Sequence, residues 1–451
     1  MSTFIQTLNG YLWGFPMIAF LFLTHIVMSS RTGFVQRKVF TGIRLSVTKS
    51  CEDQGEISPF SALATSLAST LGTGNIVGVG TAVALGGAGA VFWCWITGIL
   101  GMATQYCECF LSVEYRVKTE DGGYSGGPMY VLEKGVGSRK MGVLYALLAS
   151  VGGLITGAAI QSNAISNVIM AGIESREETH TCISVPLIVG VVAGLLTAMV
   201  IFGGLRLISR VCCFCVPFMA AAYMLGCVVI LIINRAFLVE AVWLIVKEAF
   251  SFKAAAGGLT GSVFLVACRY GVARGLFSNE AGIGTSSVVS ASAHTSSSVK
   301  QGLVSMTATF WDTVVMCLVT GVVIVSTLLT QSYDALQGAE SGNLCYTAFC
   351  RIPVVGEGLL IFSMITFAFS TILGWSAVGE RCITYIFGSK SRKWYRALWV
   401  AAVIAAPMVT LEGIWELGDL INGLLVVPNV WGLLMLSAKV RDKTKRELPY
   451  I

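Results

Sequence analysis

The sequence predicts an all-α polytopic membrane protein of about eleven transmembrane helices, built as two inverted five-helix repeats with two discontinuous helices. Three observations predict it. The 451-residue chain is 55% hydrophobic and only 12% charged, about half the charge of a soluble domain, where roughly a quarter of residues are charged. Apolar stretches near the length that crosses a bilayer, about 20 residues, recur from end to end, with no polar block large enough to fold in water. Two of these stretches break in the middle, at corresponding places in the two halves.

The expected spans are 11–29, 57–85, 88–115, 141–173, 184–203, 207–233, 258–293, 301–330, 354–387, 395–411 and 414–438. The whole chain reads as one transmembrane domain. Span 11–29 is an extra N-terminal helix, 57–233 the first five-helix repeat, 258–438 the second, and 439–451 a basic tail. The first span reads as a retained helix, because residues 1–10 carry no positive charge and no small-x-small cleavage site follows. With the N-terminus outside, the inner segments hold 22 of the 30 Lys and Arg and the outer segments five. The positive-inside rule then puts the C-terminus in the cytoplasm, and the expected location is the plasma (inner) membrane. The net charge of +6 needs no nucleic-acid partner, since basic residues serve orientation and contact with anionic lipid. No obligate protein partner is inferred.

Residues 33–50, apolar with basic punctuation, read as a helix lying on the inner surface, and Phe237 to Phe250 as an amphipathic helix along the outer rim. The fourteen cysteines fall mostly within apolar spans, where cysteine behaves as a small hydrophobe. Cys345 and Cys350 lie in an expected outer loop, either paired or free.

The first break is "STLGTGNIVGVGTA", Ser69 to Ala82, which sets Gly72, Thr73, Gly74 and Asn75 together inside span 57–85. The second is "RGLFSNEAGIGTSS", Arg274 to Ser287, where Ser278, Asn279, Glu280, Ala281 and Gly282 lose helix character. Without the first helix, these are the first and sixth of ten spans. Such paired interruptions point to a secondary transporter's midplane binding site. Non-helical backbone is tolerable at membrane depth only where protein buries it or it lines a wet cavity. The N–H groups freed on the second half-helix suit a carboxylate, and the C=O groups freed on the first suit a small cation. A zwitterion with a monovalent cation satisfies both. Glycine here also permits close helix packing, which accounts for the glycines but not for Thr73 or Asn75. No span presents a His/Cys/Asp/Glu cluster or a Ser/His/Asp set at useful spacing, so an enzyme is not expected.

With these motifs in view, the chain resembles the alanine/glycine:cation symporter family almost end to end. The resemblance is carried by "SPFSALATSLASTLGTGNIVGV", "FWCWITGILGMATQYCECFLSVEYR", "GGPMYVLEKG", "RGLFSNEAGIGTSS", "QGLVSMTATFWDTVVMC", "FAFSTILGWSAVGERCITYIFG" and "LGDLINGLLVVPN". It implies the leucine-transporter fold and cation-coupled uptake of alanine or glycine, with sodium as the usual co-transported cation and no cofactor. The family's pocket maps onto Thr73, Gly74 and Asn75 of the first break and Phe277, Ser278 and Asn279 of the second. It also maps onto Gly157 and Gln161 of "GAAIQSN", and onto Thr371 and Trp375 of "FSTILGW". A sodium ion is implied at Ser370 and Thr371, with the carbonyls of Ala68 and Leu71.

Two readings stand for several of these residues. Gln161 either fixes the substrate or makes an interhelical hydrogen bond, as Asn163 and Asn167 can. Phe277 and Trp375 are either pocket walls or core aromatics. Glu280 either touches ligand or pairs with Arg274 or Arg269. Asp312, Glu380, Glu416 and Asp419 are further acids at or near membrane depth, suited to function, to gating contacts or to helix-end pairs. His25 and His294 have no evident partner.

Overall fold

The computed structural model describes residues 2–48, 55–120, 122–174, 184–251, 263–330, 343–409 and 412–451. Among the described residues the regular structure is helical apart from a two-stranded antiparallel ribbon, β1 (Val117–Lys118) with β2 (Tyr124–Ser125). It opens with α1 (Ser2–Leu12), α2 (Phe15–Arg31) and α3 (Val39–Val47). The α2 axis and the segment that contains α3 are bent by 65°, which gives the expected surface segment its own direction.

The first repeat comprises α4 (Pro59–Thr70) with α5 (Val77–Gly86), α6 (Gly89–Glu114), the single turn α7 (Pro128–Tyr130), α8 (Arg139–Gly152) running into α9 (Ile160–Glu174), α10 (Ser184–Ile201) and α11 (Gly204–Ile233). The amphipathic segment expected along the outer rim forms α12 (Leu238–Ala249) and buries Ala241, Ile245 and Ala249. Its Glu248 accepts from the Ala88 N–H at 2.9 Å and so caps the turn before α6. The second repeat has α13 (Val263–Asn279) and α14 (Thr285–Ser290), α15 (Ser298–Thr309) continuing into α16 (Leu318–Thr330), the short α17 (Asn343–Phe349), α18 (Gly356–Phe387), α19 (Ser391–Ala405) and α20 (Glu412–Glu447). By length and apolarity alone, five described helical stretches suffice to cross a membrane, or up to seven if each bent pair is one span. The other expected spans coincide with helices that are short or interrupted by polar groups, such as Glu108 in α6 and Arg269 and Arg274 in α13. Cys345 and Cys350 are both free thiols, and residues 331–342 of the expected outer loop lie outside the described residues.

The two broken helices lie side by side: α5 packs on α13 and α4 on α14. Around them α6 packs against α13 and α15, while α18 packs against α4, α8, α9 and α11. Small residues set these distances. A Cβ on Gly374 would sit 2.6 Å from the Ser69 backbone nitrogen, and one on Gly98 would sit 2.7 Å from Thr313 Cγ2.

On the face that carries His294 and Arg116, three sets of contacts tie the chain together beside a groove of about 410 Å³ lined by Ser46, Ser58, Phe60 and His294 among others. Arg381 pairs with Glu56 at 2.7 Å, Ile57 bridges to Ala293 in parallel β fashion, and the Arg116 guanidinium donates to the carbonyls of Ala291, Ala293 and Thr295. On the opposite face a cleft of about 260 Å³ is lined by Trp13, Arg269, Arg274, Phe277, Glu416 and Asp419 among others.

Gly374→Ala must push backbone against backbone between α18 and α4. It is expected to destabilise the detergent-purified protein by about 1–3 kcal/mol, read as a lowered melting temperature. Wild-type melting would contradict this close approach.

Candidate functional site

The first break begins where Ser58 has already started a helix: its hydroxyl caps the Ser61 N–H at 3.0 Å and Pro59 follows at the first helical position. The helix runs to Thr70, then Leu71 and Gly72 leave helical dihedrals and a 3₁₀ turn, Thr73–Asn75, restarts the chain. The two halves are bent by 62°. The Gly72 N–H donates to Asn75 Oδ1 at 3.1 Å, closing the turn on itself. The other end of the Asn75 amide crosses to the second break. Its Nδ2 donates to Ser278 Oγ (3.0 Å) and to Asp312 Oδ1 (2.7 Å).

Asp312 is the hub of this junction. Its carboxylate also accepts from Ser278 Oγ at 2.9 Å and from Thr313 Oγ1 at 2.6 Å, and it is completely buried. It sits in a π-helical stretch, Phe310–Cys317, between α15 and α16. Gly157 lies in another, Gly153–Ala159, between α8 and α9. Such widened turns recur at functional sites because they re-aim side chains within a helix.

The second break lies two residues beyond the expected place. Ser278 and Asn279 complete α13, and the non-helical stretch is 280–284, made by positive φ at Glu280 (55°), Gly282 (105°) and Gly284 (90°). A non-glycine residue in the left-handed region is strained unless its surroundings hold it. Glu280 is held by Trp375, whose indole N–H donates to Oε1 at 3.0 Å, and by the Thr285 hydroxyl on Oε2. Neither expected partner is used: Arg274 lies 3.8 Å from Asp419 beside the open cleft, and Arg269 stacks on the Tyr270 ring. The freed backbone groups are taken up by side chains. Asn279 Oδ1 accepts from Ala281 N–H (2.9 Å) and Glu108 Oε1 from Gly282 N–H (2.8 Å). Asn429 donates to the Gly282 carbonyl (2.9 Å) and Tyr145 to the Ile283 carbonyl (3.0 Å).

The remaining expected residues gather at the first break. Gln161 is buried, accepts from Thr73 Oγ1 at 3.4 Å and donates to the Thr156 carbonyl at 3.4 Å. Thr371 donates to the Leu71 carbonyl at 3.3 Å and to the Phe367 carbonyl at 3.0 Å. Ser370 bonds Phe367 in its own helix at 2.9 Å, and Ala68 is fully buried in α4. Gly157 makes room for Trp375, since a Cβ there would lie 2.3 Å from the Trp375 Cβ. Phe277 is half-buried, lines the open cleft and faces Trp415 at 6.4 Å between ring centroids. A Cβ on Gly74 would touch its ring at 3.4 Å. Asn279 turns instead to Thr313, at 3.1 Å.

Asn163 and Asn167 serve packing: Asn163 donates toward the carbonyls of Ala406 and Val409, and Asn167 donates to Asn163. Glu380 makes a two-pronged pair with Arg396, both distances 2.7 Å. His25 does have a partner, Thr104, at 2.7 Å from its Nδ1. Sequence reasoning missed Glu108, Tyr145 and Asn429. An acid inside an apolar helix was the available signal for Glu108; Tyr145 and Asn429 give none.

Two apposed broken helices, joined by buried polar side chains, define a membrane transporter of the leucine-transporter fold. Solved structures with this architecture include MhsT in complex with L-phenylalanine, 13% identical with a TM-score of 0.58 over 88% of this chain and 99% of that one. A Na⁺-coupled sialic acid symporter, 14% identical, gives a TM-score of 0.50 over 94% of this chain and 87% of that one. The profile of the Sodium:alanine symporter family matches residues 1–447. The sodium/alanine symporter AgcS of Methanococcus maripaludis is 37% identical over 98% of this chain and 96% of its own length. The chain belongs to the Sodium:alanine symporter family. It is a multi-pass membrane transporter, not an enzyme, and its activity is cation-coupled amino-acid symport.

Asn75→Ala removes the bridge between the breaks and leaves Gly72 N–H and Asp312 short of partners. Losing buried bonds to a charged group is expected to destabilise the fold by about 2–4 kcal/mol. An unshifted melting temperature would show that the bridge does not hold the breaks together.

Proposed function

We propose that this protein couples inward sodium movement to the uptake of alanine and/or glycine by alternating access, across the plasma (inner) membrane, with the N-terminus outside and the C-terminus in the cytoplasm. One observation carries the proposal: the candidate cation contact, Thr371 to the Leu71 carbonyl at 3.3 Å, and the candidate substrate contact, Thr73 to Gln161 at 3.4 Å, flank the same glycine, Gly72. Ordering the break for one ligand therefore orders it for the other.

In this mechanism sodium takes the carbonyls of Ala68 and Leu71 and the hydroxyls of Ser370 and Thr371. The ion fixes the C-terminal end of α4, where the helix dipole is negative. The substrate carboxylate then meets the first N–H groups of the second half-helix, at Thr73 and Gly74, where orphan donors and the positive dipole end coincide. Gln161 turns from Thr73 to the substrate, Phe277 covers it on the cleft side, and Trp375 limits its side chain. Asn75, Ser278 and Asn279 act through the junction, holding the second break in register with the first.

A small pocket excludes larger side chains by overlap, but distinguishes alanine from glycine only weakly, since one carbon is worth about 1–3 kcal/mol. The Glu56–Arg381 pair would act as a gate on one side of the breaks, and the cleft beside Phe277 and Arg274 as the loading side. One sodium ion crossing about 100 mV releases about 2.3 kcal/mol, and a tenfold gradient adds about 1.4 kcal/mol. Together these support accumulation of roughly several hundred-fold.

Coupling of this kind is reciprocal in binding. Labelled alanine should bind the purified protein more tightly as sodium replaces potassium at fixed pH, and sodium more tightly as alanine is added. Gln161→Ala should weaken alanine binding at least tenfold in folded protein, about 1.4 kcal/mol or more; unchanged affinity would make Gln161 a packing residue. Thr371→Ala should raise the sodium concentration needed for half-maximal binding, and an untouched sodium dependence would move the ion elsewhere.

A further inference from the structure

Glu108 lies on α6 outside the pocket just described, and its two carboxyl oxygens differ. Oε1 accepts two hydrogen bonds, from the Gly282 N–H at 2.8 Å and from Asn429 Nδ2 at 2.7 Å. Oε2 is buried and accepts none among the described residues. The residue lines a small cavity, with room for about one water (about 10 Å³), whose other walls are Leu111, Pro128, Val131, Leu132, Ser287, Asn429, Gly432 and Leu433. Among the described residues, the groups facing Glu108 supply no positive charge. Asn429 comes from α20, Gly282 and the acid Glu280 from the break, Tyr145 from α8, and Cys107 and Cys109 from its own helix. His25 of α2 reaches α6 one turn away, where it bonds Thr104.

We propose that Glu108 is a proton-binding site: a neutral carboxylic acid in this state, which gives up its proton when the second break moves. The proposal rests on the symporter reading above and adds a titrating group to it. An oxygen that accepts two donors is the carbonyl of an acid, and a buried oxygen that accepts none is its hydroxyl. A bare carboxylate held by two neutral donors at this depth carries a large desolvation penalty. Sodium does not fit the place, because a cavity walled mostly by Leu, Val, Pro and Gly offers too few oxygens for a hard cation. The proton on Oε2 donates to a water in the cavity, and its route leads toward the face that carries Pro128 and Val131. Because Oε1 clamps Gly282 and Asn429 together, movement of either changes the solvation of the acid, and a charge left there at alkaline pH opposes return to this buried arrangement. The O–H bond of the carboxyl breaks, its electron pair stays on Oε2, and the proton passes to water.

The test is sodium-driven alanine uptake by purified protein in vesicles, measured against pH at a fixed sodium gradient. Wild-type uptake should fall at alkaline pH, approaching tenfold per pH unit beyond the midpoint for a single group. Glu108→Gln keeps the shape of the neutral acid and should keep uptake while losing the alkaline fall. A wild-type profile in Glu108→Gln overturns the proposal. Should that variant fail to fold, Glu108→Asp takes its place, with a shifted midpoint expected and an unshifted one overturning. Independently, sodium and alanine added to wild-type protein in weakly buffered solution should change the proton count seen by a pH dye; no exchange at any pH overturns the proposal. Uptake that is indifferent to sodium would instead defeat the symporter reading, a separate outcome.

Discussion

A helix broken inside a bilayer must have its freed backbone groups held by other protein groups, because lipid offers none. Everything distinctive in this protein follows from meeting that demand twice. The two breaks lie side by side and are stitched by one amide. Asn75 closes the first break through its oxygen and reaches the second through its nitrogen, on Ser278 and Asp312. The surrounding helices pack by small residues, which lets side chains from α6, α8, α18 and α20 arrive within hydrogen-bonding range.

The breaks meet the demand differently. At the second, side chains from four other parts of the chain take up the backbone: Glu108, Tyr145, Asn429 and, through Glu280, Trp375. In this state it is the more fully bonded corner, with positive φ at Glu280 and neighbours on its backbone. The first relies on its own turn and on hydroxyl and amide contacts of 3.3 to 3.4 Å from Thr371 and Gln161. Contacts this long are weak.

Much of this is legible from the amino acids. The first break announces itself, since Gly72, Thr73, Gly74 and Asn75 are poor helix formers inside an apolar run. The second was displaced by two residues because Ser278 and Asn279, weak helix formers, still complete α13 by pointing at Asp312 and Thr313. The turn belongs to Glu280, Gly282 and Gly284, where the glycines show the need for positive φ but Glu280 does not. Its partner was misjudged because charge pairing favours Arg274 in sequence, whereas three dimensions bring the uncharged donors Trp375 and Thr285. Glu108 and Asn429 act on backbone far away in the chain, and no local pattern marks that. The π turns at Gly153–Ala159 and Phe310–Cys317 have no residue signature either, yet they aim Gly157 and Asp312.

The central claim is that the opened first break binds a cation and a small amino acid together, so that the gradient of one drives the other. The most direct measurement is uptake of labelled alanine into sealed vesicles holding the purified protein, with an inward sodium gradient or with potassium in its place at the same pH and membrane potential. The account predicts transient accumulation above the external concentration with sodium, collapsing when the gradient is dissipated. Equal uptake in sodium and potassium, levelling at the external concentration, would contradict it.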